Sequence, residues 1–257
     1  MRNTGPTAIT GDVGVSPWPT VAGLPDGTVR GSTYRADKTA IAAKAALVAA
    51  YYDAAGRAAT AVGAALESGL LAPGIYNAGA GPLNVTGRVV LDAAADPTSV
   101  WVFQTTGDMT TSASSAVVLV NGAQAGNVFW QVAGSASLGS GSGMVGTIMT
   151  LGSITLGNGV GLAGRALARD GSVTMLNNAI TGPGCASPGA VHAALEGGST
   201  HTLARALVNT AAYATPSAPD PGNADGSYQF LGVIGLLVLV AVLLGEAPDR
   251  RRGRFAT

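Results

Sequence analysis

One five-residue pattern occurs three times in this chain and limits the folds open to it. The pattern is a small residue, serine, an apolar residue, serine or threonine, and a second apolar residue. It occupies residues 134–138, 152–156 and 171–175. Its serines, Ser135, Ser153 and Ser172, lie 18 and 19 residues apart. This period is too short for a propeller blade or a helical hairpin but suits one coil of a β-solenoid. Because one coil cannot bury its apolar edge alone, the repeat predicts a stack of coils.

The chain from about residue 70 to 181 alternates apolar and polar residues with a period of two. Runs rich in β-branched and aromatic residues, such as VVLDA at 89–93 and VFWQV at 128–132, are separated by glycine turns. This pattern is typical of short strands. The chain has 38 glycines without a collagen period. Aromatic residues make up only 5%, so the core must consist mainly of Ala, Val, Leu and Ile. We therefore predict a mostly β protein.

Residues 36–57 form the one segment with a strong helical pattern. Apolar residues that recur every three or four positions predict a helix with one apolar face. The predicted face consists of Ile41, Ala45, Val48, Tyr52 and Ala55. Small alanines on this face would let the helix lie close against a sheet. The alternative, a membrane-surface helix, needs a basic face that this segment lacks.

The charge balance limits the partners and cofactors of the chain. Charged residues make up 11%, with 14 basic and 14 acidic side chains. Nucleic-acid binding needs a basic surface, so we expect none. A surface poor in charge and rich in Ser, Thr and Gly suits an exported protein. The single cysteine, Cys185, excludes an intrachain disulfide, and with only His192 and His201 beside it we predict no zinc site and no cofactor.

Two glycine motifs resemble a dinucleotide-binding fingerprint. They are Gly141-Gly143-Gly146 and Gly159-Gly161-Gly164. A dinucleotide site needs a strand before the motif and a helix after it, and the residues that follow these motifs do not read as helices. Their recurrence one coil apart favours solenoid corners, where glycine adopts positive φ.

The charged residues of the coils do not form a catalytic groove. General acid–base catalysis on a β-helix needs acids or arginines that recur along one line. The acids Asp92, Asp96, Asp108 and Asp170 do not fall in one column, and neither do Arg88, Arg165 and Arg169. We therefore predict that the protein is not an enzyme.

One face of the predicted coils carries small hydroxyl side chains. If Ile154 and Leu156 point inward, Ser153 and Thr155 point outward, because side chains alternate along a strand. The same register in the other coils predicts two outward ranks. They are Thr110, Ser137, Thr155 and Thr174, with Asp108, Ser135, Ser153 and Ser172 beside them. The alternative is a face that serves solubility alone. Lys and Glu would serve solubility as well, and their absence from this face favours a binding surface.

The C-terminal part differs in composition from the coils. Residues 186–227 read as an extension that ends in a Pro/Gly/Ala-rich linker. Residues 230–245 have no polar side chain, and we predict a transmembrane helix over 228–247. The basic tail 248–257 contains Arg250, Arg251, Arg252 and Arg254. The positive-inside rule places this tail in the cytoplasm and the solenoid outside the cell. A buried core helix is the alternative for the apolar run.

Several segments together resemble one known family, the ice-binding-like adhesion domains. They are TGPTAITGDVGVSP (4–17), GLPDGTVRG (23–31), AAYYDAAGR (49–57), LAPGIY (71–76), LDAAADPTSVWVFQ (91–104), VNGAQAGNVFWQV (120–132) and GTIMTLGSITLGNGVGLAGRALAR (146–169). The resemblance covers residues 1–185. It implies a discontinuous right-handed parallel β-helix, triangular in section, with one long helix alongside. It also implies that the flat face bearing Thr110, Ser137, Thr155 and Thr174, with Asp108, Ser135, Ser153 and Ser172, binds ice.

The chain departs from the family pattern at two places. Relatives carry a first strand before the residues that match Asn3–Thr7, so we expect the chain to gain stability when it is extended upstream. Some relatives also have a cysteine where this chain has Gly126, which leaves Cys185 without the partner that they have. We predict a membrane-anchored extracellular protein that binds ice. The alternative is a non-enzymatic adhesive or structural module whose ligand is a cell-wall polymer or a protein. The oligomeric state stays open.

Overall fold

The computed structural model describes residues 1–25, 28–183 and 239–242. These residues form parallel strands and one α-helix, α1 (Lys38–Ala55). The strands in chain order are β1 (Arg2–Thr4), β2 (Ala8–Thr10), β3 (Asp12–Val15), β4 (Val29–Arg30), β5 (Thr33–Arg35), β6 (Thr60–Ala61), β7 (Ala65–Leu66), β8 (Gly69–Leu71), β9 (Gly74–Asn77), β10 (Leu83–Val85), β11 (Arg88–Asp92), β12 (Trp101–Thr105), β13 (Met109–Thr111), β14 (Ala116–Val120), β15 (Val128–Val132), β16 (Ala136–Leu138), β17 (Gly143–Thr150), β18 (Ile154–Leu156), β19 (Gly161–Ala168), β20 (Val173–Leu176), β21 (Ala179–Thr181) and β22 (Leu239–Val242).

The strands stack in three columns around one core. The first column is a seven-stranded sheet in the order β7-β10-β13-β16-β18-β20-β1. The other two columns belong to a second sheet, whose long strands β17 and β19 run across both. β17 changes direction at Gly146, where φ is +98°. Among the described residues, neighbouring strands in both sheets are parallel, which confirms the predicted stack of coils.

The order of the coils is discontinuous along the chain. β1 pairs with β20 and β2 pairs with β21, so the N-terminal coil lies on the last coil of the repeat rather than on the second. The N–H of Asn178 donates to Thr7 Oγ1 at 3.0 Å across this junction. The chain must therefore return along the stack. α1 has 18 residues, and its length of about 27 Å spans five to six strands at a spacing of about 4.8 Å.

The core consists mainly of aliphatic side chains and contains a stack of three aromatic rings. The rings of Tyr76, Phe103 and Trp130 occupy matching positions in three successive strands. The ring centroids of Tyr76 and Phe103 lie 5.5 Å apart, and those of Phe103 and Trp130 lie 4.2 Å apart. Such pairs add about 0.5–1.5 kcal/mol beyond their burial. Matching residues in successive coils thus fix the register of the stack.

The helix confirms the predicted segment, but the predicted apolar face is wrong. Its N-terminus is capped by Asp37, which accepts a hydrogen bond from the N–H of Ala40 at 2.8 Å. Ile41 is 56% exposed and Tyr52 is 58% exposed. The buried residues are Ala40, Leu47, Tyr51 and Ala54. The last three pack on Val102, Phe129, Met149 and Leu167 of the sheet. This alanine-rich helix carries small and apolar residues on all of its sides. Their spacing is therefore compatible with two different buried stripes. The larger pair of Leu47 and Tyr51 fills the interface.

Four residues of the predicted membrane span, Leu239–Val242, are described, and they form the strand β22. β22 lies between β3 and β19 in the second sheet. The rest of 228–247 lies outside the described residues, as do Cys185, His192, His201, the linker within 186–227 and the tail 248–257. Within the described residues, no helix combines the length and the apolar character needed to cross a membrane.

Candidate binding surface

The seven-stranded sheet forms an open face that we call the hydroxyl face, defined by the column Thr110, Ser137, Thr155 and Thr174. These four residues are direct neighbours in four successive strands. Each stands between inward-pointing residues, as Thr155 does between Ile154 and Leu156, which are 0% and 1% exposed. The structure therefore brings the predicted central rank together in one straight line, with its side chains outward and spaced by about 4.8 Å.

The hydroxyl groups of this column differ in their hydrogen-bond partners. Thr110 Oγ1 donates to Oδ1 of Asn84, the next residue in the column, at 2.5 Å. Within the described part of the chain, Ser137 and Thr155 donate no side-chain hydrogen bond to protein, and both are exposed. Their hydroxyl groups are therefore available to water. The column is free of charge from Asn84 to Thr174, and Arg2 follows Thr174, with Ala22 bridged to Arg2 on its other side.

The second predicted rank lies at the corner of the coils and has a structural role. Oδ1 of Asp108 accepts a hydrogen bond from the N–H of Ser135 at 2.7 Å. Oγ of Ser135 accepts from the N–H of Ser153 at 3.1 Å, and Oγ of Ser153 accepts from the N–H of Ser172 at 3.0 Å. We call these four residues the corner ladder. The side chains of Asp108, Ser135 and Ser153 each hold the backbone of the following coil, so they present fewer free lone pairs to a ligand.

The glycines before these serines explain the small first residue of the repeat. A Cβ at Gly152 would overlap Oγ of Ser135 in the preceding coil, and a Cβ at Gly171 would overlap the backbone of Gly152. Only glycine lets successive corners approach this closely. The Gly-Ser pair is thus the stacking element of the coil, and it keeps the hydroxyl face even from strand to strand.

A second open face lies on the adjoining column of strands, and the sequence pattern did not predict it. We call it the aliphatic face. Its column contains Val90, Val118, Ala163, Thr181 and Thr10, with Val145 between Val118 and Ala163 only 7% exposed and packed in the core cluster. Val118 is half-buried, while its neighbour Val117 is 4% exposed and points into the core. The signal in the sequence was the alternation of small outward and larger inward residues in segments such as Gly161–Ala163. The third column is covered by α1.

This chain is a β-solenoid protein. Its parallel coils stack around one core and present a flat, uncharged face rich in serine and threonine. The model of the Ice-binding-like family matches residues 1–181. The chain belongs to this family. That membership confirms the resemblance seen in the sequence.

The relatives include proteins named for ice binding. An ice-binding protein of Nostoc sp. (strain HG1) is 37% identical over 184 residues, which cover 70% of this chain and 68% of the relative. An ice-binding protein of Flavobacterium frigoris (strain PS1) is 33% identical, and the match covers 69% of this chain and 68% of the relative. The crystal structure of an ice-binding protein from an Antarctic biological consortium superposes with a TM-score of 0.68 at 40% identity, covering 71% of this chain and 83% of that one.

Proposed function

We propose that this protein binds ice through the hydroxyl face. The observation that carries the proposal is the alignment of Thr110, Ser137, Thr155 and Thr174 in four successive strands, with no charged side chain among them. Small hydroxyl and methyl groups at the regular spacing of a sheet order the first layer of water. Ordered water bridges a protein and a polar surface at little cost, and such a layer can merge with an ice lattice. The names of the relatives support ice as the ligand.

The flatness of the face matters as much as its chemistry. A crystal surface contacts several coils at once, so each contact adds to the others only if no side chain stands above the plane. Long charged side chains would also hold water in their own geometry. The corner ladder and the Gly-Ser pairs support the proposal because they keep successive strands level.

An adhesive module that binds a polymer or a protein is the second candidate. The aliphatic face favours it, because Leu70 is 64% exposed at its edge and the rank from Val90 to Ala163 is apolar. Exposed apolar surface of this kind marks contact sites for other molecules.

The test of ice binding is partition of the full chain into a slowly growing ice hemisphere. We expect the protein to enter the ice, while a non-binding globular protein in the same solution is excluded. Exclusion of both from ice, with the solenoid folded by circular dichroism, would contradict ice binding and favour the adhesive module.

The proposed location is a cell membrane, with the solenoid outside and the C-terminus in the cytoplasm. The apolar run 230–245 and the arginines that follow it support this proposal. In cells expressing a chain with Cys185→Ser and Ser227→Cys, we expect an impermeant thiol reagent to label residue 227 from outside. Cys185→Ser alone is the control and gives the background. Labelling of the double variant only after lysis would overturn the orientation.

A further inference from the structure

One charged side chain interrupts the column that runs through the hydroxyl face. The column continues beyond its four defining residues on both sides. Its neighbouring positions are, in order, Ala65, Asn84, Thr110, Ser137, Thr155, Thr174, Arg2 and Ala22. Arg2 is the only charged residue among these eight. We propose, on the basis of the proposed ice binding, that Arg2 ends the ice-contacting surface at Thr174 and so limits the ice activity of the chain.

The side chain of Arg2 points outward from the same side of the sheet as that of Thr174. Its neighbours in β1, Met1 and Asn3, are both buried, whereas Arg2 is exposed. Side chains alternate along a strand, so burial of Met1 and Asn3 turns Arg2 to the open face. Arg2 is also the direct neighbour of Thr174 in the adjacent strand. Its side chain therefore begins about 4.8 Å from the end of the hydroxyl column.

No protein group holds the guanidinium of Arg2 down against the sheet. Within the part of the chain that the structure describes, its side chain forms no ion pair and donates no hydrogen bond. A depression of about 490 Å³ adjoins it, with Thr20, Ser172 and Thr174 among its lining residues. The surface beside Arg2 is thus open to water. The long side chain remains hydrated and stands above the plane of the threonines.

A hydrated arginine at this position opposes a flat crystal in two ways. The guanidinium is always charged and presents only N–H donors, so it orders water in a geometry of its own. Its length also keeps a crystal surface away from the strand that carries it. Ice that lies on the column up to Thr174 therefore does not reach Ala22. With a small side chain in place of Arg2, the uncharged column would lengthen from six positions to eight.

Ice-recrystallisation inhibition by variants of the full chain tests this proposal. Arg2→Thr continues the threonine column, and threonine suits a strand. Because contacts along one crystal surface reinforce each other, we expect this variant to need at most about half the protein concentration for the same inhibition. Arg2→Lys keeps a long charged side chain and should behave like the unmodified chain. The melting temperature of each variant is measured alongside, and we expect it to stay unchanged.

The matched control for the change in charge is Arg30→Thr. Arg30 is exposed and is the neighbour of Thr10 in the column of the aliphatic face, so its loss changes the net charge equally but leaves the hydroxyl face as it is. We expect no gain of activity in Arg30→Thr.

The outcomes separate this proposal from the proposed function. Unchanged or lower activity in Arg2→Thr, or an equal gain in Arg2→Lys or Arg30→Thr, would overturn the role of Arg2. If the unmodified chain is active and Thr155→Tyr is not, that result leaves ice binding by the hydroxyl face in place. Absence of activity from both the unmodified chain and Arg2→Thr would overturn the proposed function and the role of Arg2 together.

Discussion

At the residue scale, serine performs two different tasks in neighbouring positions of one coil. Ser135 and Ser153 accept backbone hydrogen bonds from the next coil, at 3.1 and 3.0 Å, and so belong to the corner ladder. Ser137 and Thr155 lie two residues further along and point outward, and both are exposed. The sequence predicted both ranks as outward hydroxyl groups. It could not separate their tasks, because a corner bond depends on which backbone N–H the next coil places there.

The corner ladder predicts different costs for two matched serine substitutions. Ser153→Ala removes the acceptor of the Ser172 N–H and should lower the free energy of unfolding by about 0.5–1.5 kcal/mol. Ser137→Ala removes an exposed hydroxyl group and should change that free energy by less than about 0.5 kcal/mol. Chemical denaturation of both variants measures the difference. Equal losses would show that the corner bonds add nothing to stability.

At the element scale, local pattern predicted the type of most elements but not what they contact. The alternation in segments such as 89–93 and 128–132 predicted strands where β11 and β15 lie. The helix begins at Lys38 and ends at Ala55, within the predicted 36–57. Its buried stripe was misassigned because small and apolar residues surround it, and the sheet selects the side that carries Leu47 and Tyr51.

In the C-terminal apolar run, the local pattern fits more than one type of element. Length and hydropathy predict a transmembrane helix over 228–247, and the four described residues of this run, 239–242, pair with β3 and β19. A run of Leu, Val and Ala suits both a membrane helix and a buried strand. Which of the two forms depends on partners outside the run, a bilayer or an open sheet edge, and the sequence of the run does not specify them.

At the scale of the whole molecule, the repeat predicted a stack of coils but not the order of the coils. Ser135, Ser153 and Ser172 gave the period and the neighbours of three coils. The placement of β1 beside β20 could not be read from any local pattern, because it depends on α1 carrying the chain back along the stack. This arrangement leaves two open faces, and only one of them was predicted.

The two open faces make the central claim testable by one comparison. Thr155→Tyr puts a bulky ring in the middle of the hydroxyl face, and Val118→Tyr puts the same ring on the aliphatic face. Ala42→Tyr, on the exposed side of α1, is the control for the added ring. Thr155 and Ala42 are exposed, so their variants should change stability by less than about 0.5 kcal/mol. The melting temperature of every variant is measured alongside its activity.

The decisive measurement is inhibition of ice recrystallisation by these three folded variants at equal concentration. The account predicts that Thr155→Tyr loses at least about nine-tenths of the activity, because a ring above the plane holds a flat crystal away from several coils at once. Val118→Tyr and Ala42→Tyr should retain the activity of the unmodified chain. Full activity in Thr155→Tyr, with loss in Val118→Tyr, would contradict the account and place the ice-binding surface on the aliphatic face.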